Sequence, residues 1–264
     1  MKRQLLGVAA FMLALSAHAQ DNPLWMRYCA ISPDGTSIAF TYKGDIYTVP
    51  VNGGKAAQIT TNAAHDTHPV WSPDGKQIAF ASDRMGSMDL FVVDREGGIP
   101  KRLTTHSGNE TPVAFKDADH ILFLANVMPS AEDAQFPSGQ FQQVYEVSTT
   151  GDRPVMFSSM PMEDISINKT GNALLYHDKK GYEDPWRKHH TSSITRDIWL
   201  CSLDGKRSYR KLTSFNGEDR TPVWASDGKS FYYLSEEKGS FNVFKRALDG
   251  TSSTQLTHHT KHPV

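Results

Sequence analysis

The chain has 264 residues, 38% hydrophobic and 22% charged, a balance that permits a packed globular core. Its 28 basic and 29 acidic residues leave a formal charge of -1 with no basic stripe, which argues against nucleic acid as a partner. Beyond the amino terminus no apolar run is long enough to cross a bilayer, so no membrane contact is expected after that segment is removed.

The first element predicted is a secretory signal peptide. Lys2 and Arg3 precede the apolar run Leu5 to Leu15, and Ala17-His18-Ala19 supplies a small-residue exit. Cleavage is expected between Ala19 and Gln20, which makes residues 1–19 the signal and 20–264 the exported domain, periplasmic or secreted. The apolar core is too short for a membrane anchor.

A sentence then repeats itself. Ser32-Pro33-Asp34-Gly35-Thr36-Ser37-Ile38-Ala39-Phe40 returns as Ser72-Pro73-Asp74-Gly75-Lys76-Gln77-Ile78-Ala79-Phe80. Weaker copies start at Phe115, Asn168 and Ala225. Each copy continues into a polar-apolar-aromatic strand, read at Asp45-Ile46-Tyr47, Asp89-Leu90-Phe91, Gln143-Val144-Tyr145, Asp197-Ile198-Trp199 and Asn242-Val243-Phe244. A second Gly turn follows, because Gly, Asn and Asp accept the positive φ of tight hairpins. The unit closes on Gln58-Ile59-Thr60, Arg102-Leu103-Thr104, Lys211-Leu212-Thr213 or Gln255-Leu256-Thr257, with the divergent Val155-Met156-Phe157 in the third copy.

Four short strands per repeat of roughly 40 to 50 residues predict an all-β protein, a β-propeller of five four-stranded blades between about residues 28 and 259. Ile38-Ala39-Phe40 and Ile78-Ala79-Phe80 are expected in equivalent buried strands. Two units are enlarged, by insertions from Asn126 to Gln140 and from Asp178 to Thr195, each between the second and third strands of its blade. Loops that long in a compact repeat are more often functional or mobile than structural.

Cys29 and Cys201 fall several blades apart, too far for a bridge, and both are expected to be buried free thiols. The pairs His65/His68, His189/His190 and His258/His259 invite a metal, but adjacent histidines on a strand point to opposite faces. His65-Asp66-Thr67-His68 is the best spaced of them and is read as a polar linker. No nucleophile elbow, zinc-protease helix motif, phosphate loop or dinucleotide fingerprint occurs, so no catalytic residue, metal or cofactor is assigned within the chain. The openings Thr67-His68-Pro69-Val70, Glu110-Thr111-Pro112-Val113 and Arg220-Thr221-Pro222-Val223 are echoed by Lys261-His262-Pro263-Val264, from which a sixth blade and further chain are expected.

The Ser-Pro-Asp-Gly repeats resemble the broad propeller class shared by the translocation protein TolB, tricorn-type peptidases and dipeptidyl-peptidase propellers. A narrower resemblance lies in Leu24-Trp25-Met26-Arg27-Tyr28 ahead of the first repeat and in the segment Gly181 to Trp199; these look like exported bacterial homologues of tricorn protease. That resemblance implies a modular serine peptidase, in which this propeller precedes more propeller, a PDZ domain and a catalytic core of the carboxy-terminal-processing type. The implied partners are peptides or unfolded polypeptide, the downstream domains of the same chain, and copies of the full-length protein in a homo-oligomer. The nucleophile and its partners would lie in the core, so none maps onto this chain. A TolB-like interaction propeller would carry an α/β domain ahead of the first blade, and a dipeptidyl-peptidase propeller would continue into an α/β-hydrolase domain.

Within the second insertion Tyr182, Trp186, Arg187, Lys188, His189 and His190 combine rings with cations. Such a surface suits contact with peptide through stacking and cation-π attraction, or packing against a downstream domain.

Overall fold

The computed structural model describes residues 25–126, 141–181 and 193–261. Within them the chain forms five antiparallel sheets of four strands, each built from four strands in chain order. Blade 1 comprises β1 (Arg27–Ile31), β2 (Ser37–Tyr42), β3 (Asp45–Pro50) and β4 (Ala57–Gln58). Blade 2 comprises β5 (Asp66–Trp71), β6 (Gln77–Ser82), β7 (Asp89–Asp94) and β8 (Lys101–Arg102). Blade 3 comprises β9 (Glu110–Phe115), β10 (His120–Ala125), β11 (Gln143–Ser148) and β12 (Val155–Ser158). Blade 4 comprises β13 (Met162–Ile167), β14 (Ala173–Asp178), β15 (Ile198–Ser202) and β16 (Ser208–Lys211), and blade 5 comprises β17 (Asp219–Trp224), β18 (Ser230–Ser235), β19 (Asn242–Ala247) and β20 (Ser253–Gln255). The expected propeller is observed, and both insertions fall between the second and third strands of their blades.

The repeated motif is a self-bonded turn. Ser72 Oγ donates to Asp74 Oδ1 at 2.7 Å and accepts the Gln77 N–H at 2.9 Å, while Asp74 also accepts the Lys76 N–H at 3.1 Å. Ser32, Asp34, Thr36 and Ser37 repeat this pattern in blade 1. Gly35 and Gly75 sit at φ 72 and 69, where a Cβ would be strained. The turn therefore aims the second strand back along the first by local chemistry alone.

The aromatic of each third strand stands opposite an aromatic of the second: Phe40 and Tyr47, Phe80 and Phe91, Phe123 and Tyr145, Tyr176 and Trp199, Tyr233 and Phe244. In blades 2 to 5 this side of the sheet meets the preceding blade. Phe80 and Phe91 pack with Ala39, Ile46 and Ile59; Phe123 and Tyr145 with Leu90 and Leu103; Tyr233 and Phe244 with Leu175, Ile198 and Leu212. The closing Thr explains itself at the same place, since its hydroxyl accepts the N–H of the third strand: Thr60 from Ile46 at 3.0 Å, Thr104 from Leu90 at 2.9 Å, Thr213 from Ile198 at 3.0 Å and Thr257 from Val243 at 2.9 Å.

Neighbouring blades touch through their first strands, β1 to β5, β5 to β9, β9 to β13 and β13 to β17, so these strands converge on the propeller axis. Among the described residues no strand of blade 5 packs comparably on blade 1. The faces left over differ from their equivalents. Ile31 is 63% exposed where Trp71 of the next repeat is 8% exposed, and Val223 on blade 5 is 50% exposed. Tyr232, at the position of the fully buried Ala39, Ala79, Leu122 and Leu175, is only half-buried.

Cys201 is a buried free thiol as expected, packed between blades 3 and 4. Cys29 is free but exposed, which corrects the sequence expectation. It lies in β1, the first strand of the blade that has no blade packed before it, so the cover that a buried thiol needs is absent among the described residues.

Candidate functional site: the axial ring

Each first strand carries a one-residue bulge against its second strand, at Tyr28-Cys29, His68-Pro69, Val113, Asp164-Ile165 and Thr221-Pro222. Proline suits these places, because the bulge frees an N–H from the ladder that proline cannot supply. In four blades the residue opening the bulge is left-handed: Tyr28 at φ 55, His68 at 53, Asp164 at 49 and Thr221 at 54. None is glycine, and conformations of this kind persist only where the surroundings enforce them, most often at functional positions. Blade 3 departs, with Thr111 in the equivalent place and no left-handed residue.

On the axis-lining strands these residues meet in two pairs, one across blades 1 and 2 and one across blades 4 and 5, and make up an axial belt. The Tyr28 and His68 rings lie 3.6 Å apart between centroids, tilted by 31°. Thr67 Oγ1 is 3.1 Å from His68 Nδ1. Burial holds the His68 imidazole down to about 4, with Asp164 opposing that shift and His65 adding to it, so the ring is neutral at neutral pH. On the opposite side Thr221 Oγ1 donates to Asp164 Oδ2 at 2.7 Å.

Behind Asp164 stands a charged network. Lys179 Nζ lies 2.6 Å from Glu163 Oε1, and Arg196 Nη1 lies 2.6 Å from Glu218 Oε1. Burial pushes the Glu163 carboxyl up, yet the bonds from His177 and Lys179 outweigh it and bring it to about 2. The His177 tautomer follows from its partners. Nδ1 accepts the Thr221 N–H at 3.2 Å, so the ring proton belongs on Nε2, which donates to Glu163 Oε2 at 3.2 Å. The belt brings to the axis-lining strands an aromatic pair, a carboxylate, a hydroxyl and the neutral His68 imidazole.

The residues proposed from sequence, Tyr182, Trp186, Arg187, Lys188, His189 and His190, lie outside the described residues, as does the first insertion, Asn126 to Gln140, beyond its opening residue. Of the best-spaced histidine pair, His68 joins the axial belt, while Asp66 is fully buried and held by Arg84 Nη2 at 2.9 and 3.0 Å. His65 is exposed just before β5. Sequence reading passed over Tyr28, Asp164 and Thr221 as a set; aligning the repeats on their Ser-Pro-Asp-Gly turns would have brought them into one column.

A sequence profile described as the tricorn protease N-terminal beta propeller domain matches residues 23–264. The chain is 25% identical over 238 residues to Tricorn protease homolog 1 of Streptomyces coelicolor, a match that covers 90% of this chain and 21% of that protein. The crystal structure of the tricorn protease superposes with a TM-score of 0.69 at 20% identity, over 90% of this chain and 23% of that one. A putative TolB from Agrobacterium tumefaciens superposes with a TM-score of 0.68 at 14% identity, over 88% of this chain and 80% of that one. The chain thus spans about a fifth of the length of the tricorn protease homologues that it matches.

Proposed function

The chain belongs to the family of tricorn protease N-terminal β-propeller domains, and from that premise we propose that it serves an exported serine peptidase by passing extended peptide to a catalytic core carried on other domains. The observation that carries this reading is the axial belt. Four non-glycine residues on converging strands are held left-handed, and two of them, Tyr28 and Asp164, keep nearly half of their surface open. Such a belt meets a chain threaded along the axis, and an extended peptide is narrow enough to present one side chain to it at a time. The half-covered faces of blades 1 and 5 accept a further sheet of the same repeat, which would complete the circle around that axis. The signal-like amino terminus supports export, with the mature domain beginning at Gln20.

The test separates the propeller from its core. The chain from Gln20 to Val264 and the product of the whole reading frame are each treated with a serine-reactive fluorophosphonate probe and assayed on casein. The reading expects labelling and hydrolysis only with the longer product, the label lying beyond Val264. Labelling of a serine within the propeller, or hydrolysis by the propeller alone, would overturn it.

A further inference from the structure

Asp164 carries a charge that the network behind it does not compensate. Its Oδ2 accepts one neutral bond, from Thr221, and its Oδ1 accepts no hydrogen bond among the described residues. His177 Nδ1 lies 3.6 Å from that carboxylate, but the nitrogen already accepts the Thr221 N–H and holds no proton to share. The cations of that network are committed elsewhere, Lys179 to Glu163 and Arg196 to Glu218. The Asp164 side chain remains 48% exposed, and it sits close enough to His68 to act on that ring electrostatically. Tyr28 stacks on the same His68 ring and is 45% exposed. A half-exposed carboxylate and a half-exposed aromatic ring therefore stand on two of the first strands that converge on the axis.

We propose that the axial ring is a receptor for a primary ammonium group, supplied by a lysine side chain or by the α-amino end of an extended peptide. The inference rests on the peptide-passage reading and narrows it to cationic cargo. An ammonium can donate to both Asp164 oxygens while its methylene neighbour lies over the Tyr28 ring, a combination of charge-assisted hydrogen bond and cation-π attraction. A carboxylate at the same place would meet the Asp164 charge and be refused. The neutral His68 adds no repulsion to the arriving cation.

The test is a titration of the isotope-labelled chain followed by NMR, with three small probes: N-acetyl-lysinamide, glycinamide and N-acetyl-glutaminamide. The first two are expected to shift the resonances of Tyr28, His68 and Thr221 and to saturate, and the neutral glutamine analogue is not. Response to the lysine probe alone assigns the site to side chains, and response to glycinamide alone assigns it to chain ends. Asp164→Asn is the informative variant, because Asn tolerates the left-handed backbone and keeps an oxygen for Thr221. It should weaken ammonium binding about tenfold or more with little change in melting temperature. Tyr28→Leu should weaken it less, by roughly threefold to fivefold. Equal shifts from the neutral probe, or undiminished ammonium binding in Asp164→Asn, would overturn the inference. Peptide passage would survive that failure if an acetylated, lysine-free peptide still cross-linked at the axis, whereas ammonium binding without peptide capture would sink passage alone.

Discussion

Glu110 opens β9 at the seam between blades 2 and 3, where its carboxyl is fully buried, bonded by the Thr104 hydroxyl and close to Asp89. Burial raises its pKa to about 7, the Thr104 bond opposes that rise and Asp89 adds to it. Asp219 holds the equivalent place between blades 4 and 5 and is raised to about 6, chiefly by burial, with the Asp197 and Glu237 charges contributing. Both acids are protonated more readily in the folded state than in the unfolded one. Their contribution is therefore fully present below about pH 4 and is lost as pH rises through 6 and 7. Thermal melts between pH 5 and 8 should show stability falling across this window, and Glu110→Gln should flatten the slope by an amount on the order of 2 kcal/mol. A slope unchanged in Glu110→Gln would show that the seam carboxyl stays ionised. Phe80, fully buried between blades 1 and 2, belongs to the same scale: Phe80→Ala should cost about 3 to 5 kcal/mol in chemical denaturation.

At the scale of elements, the blade was legible because its devices are local. The Ser-Pro-Asp-Gly turn bonds to itself within six residues, the aromatic opposite an aromatic announces strand pairing, and the closing Thr caps a neighbouring N–H. Thr213→Val removes one such acceptor from the buried Ile198 N–H at nearly constant shape, and should destabilise blade 4 by about 1 to 3 kcal/mol, read by hydrogen exchange at Ile198. The axial belt was not legible for a contrary reason. Tyr28, His68, Asp164 and Thr221 share a repeat position and a backbone conformation but no side-chain chemistry, so their common column carries no functional signature until the strands converge. The exposure of Cys29 has the same cause, since among the described residues no blade lies against its side of blade 1. The insertion carrying Trp186 and Arg187 poses the remaining question at this scale. If it meets peptide, Trp186→Ala and Arg187→Ala should reduce turnover of long peptides by the longer product and leave propeller melting nearly unchanged. A large fall in melting temperature with normal activity per folded molecule would make it a packing element instead.

At the scale of the whole molecule, four seams are filled by aromatic pairs against aliphatic partners, and two end faces remain half-covered among the described residues. Adding a further repeat of roughly 40 to 50 residues should raise the melting temperature and lower binding of an apolar dye, because Ile31, Val223 and Tyr232 would then be covered. The proposed route for extended peptide is the axis those blades surround. The most direct measurement places a photo-cross-linking phenylalanine analogue at position 28, on the axis, and in a second sample at position 99, where Ile99 is 97% exposed on the outer side. The proposed longer product, with the serine that takes the fluorophosphonate label replaced, is then illuminated with an extended unfolded peptide. Peptide passage along the axis requires capture at position 28 to exceed capture at position 99; capture at position 99 alone, or equally at both, would overturn it.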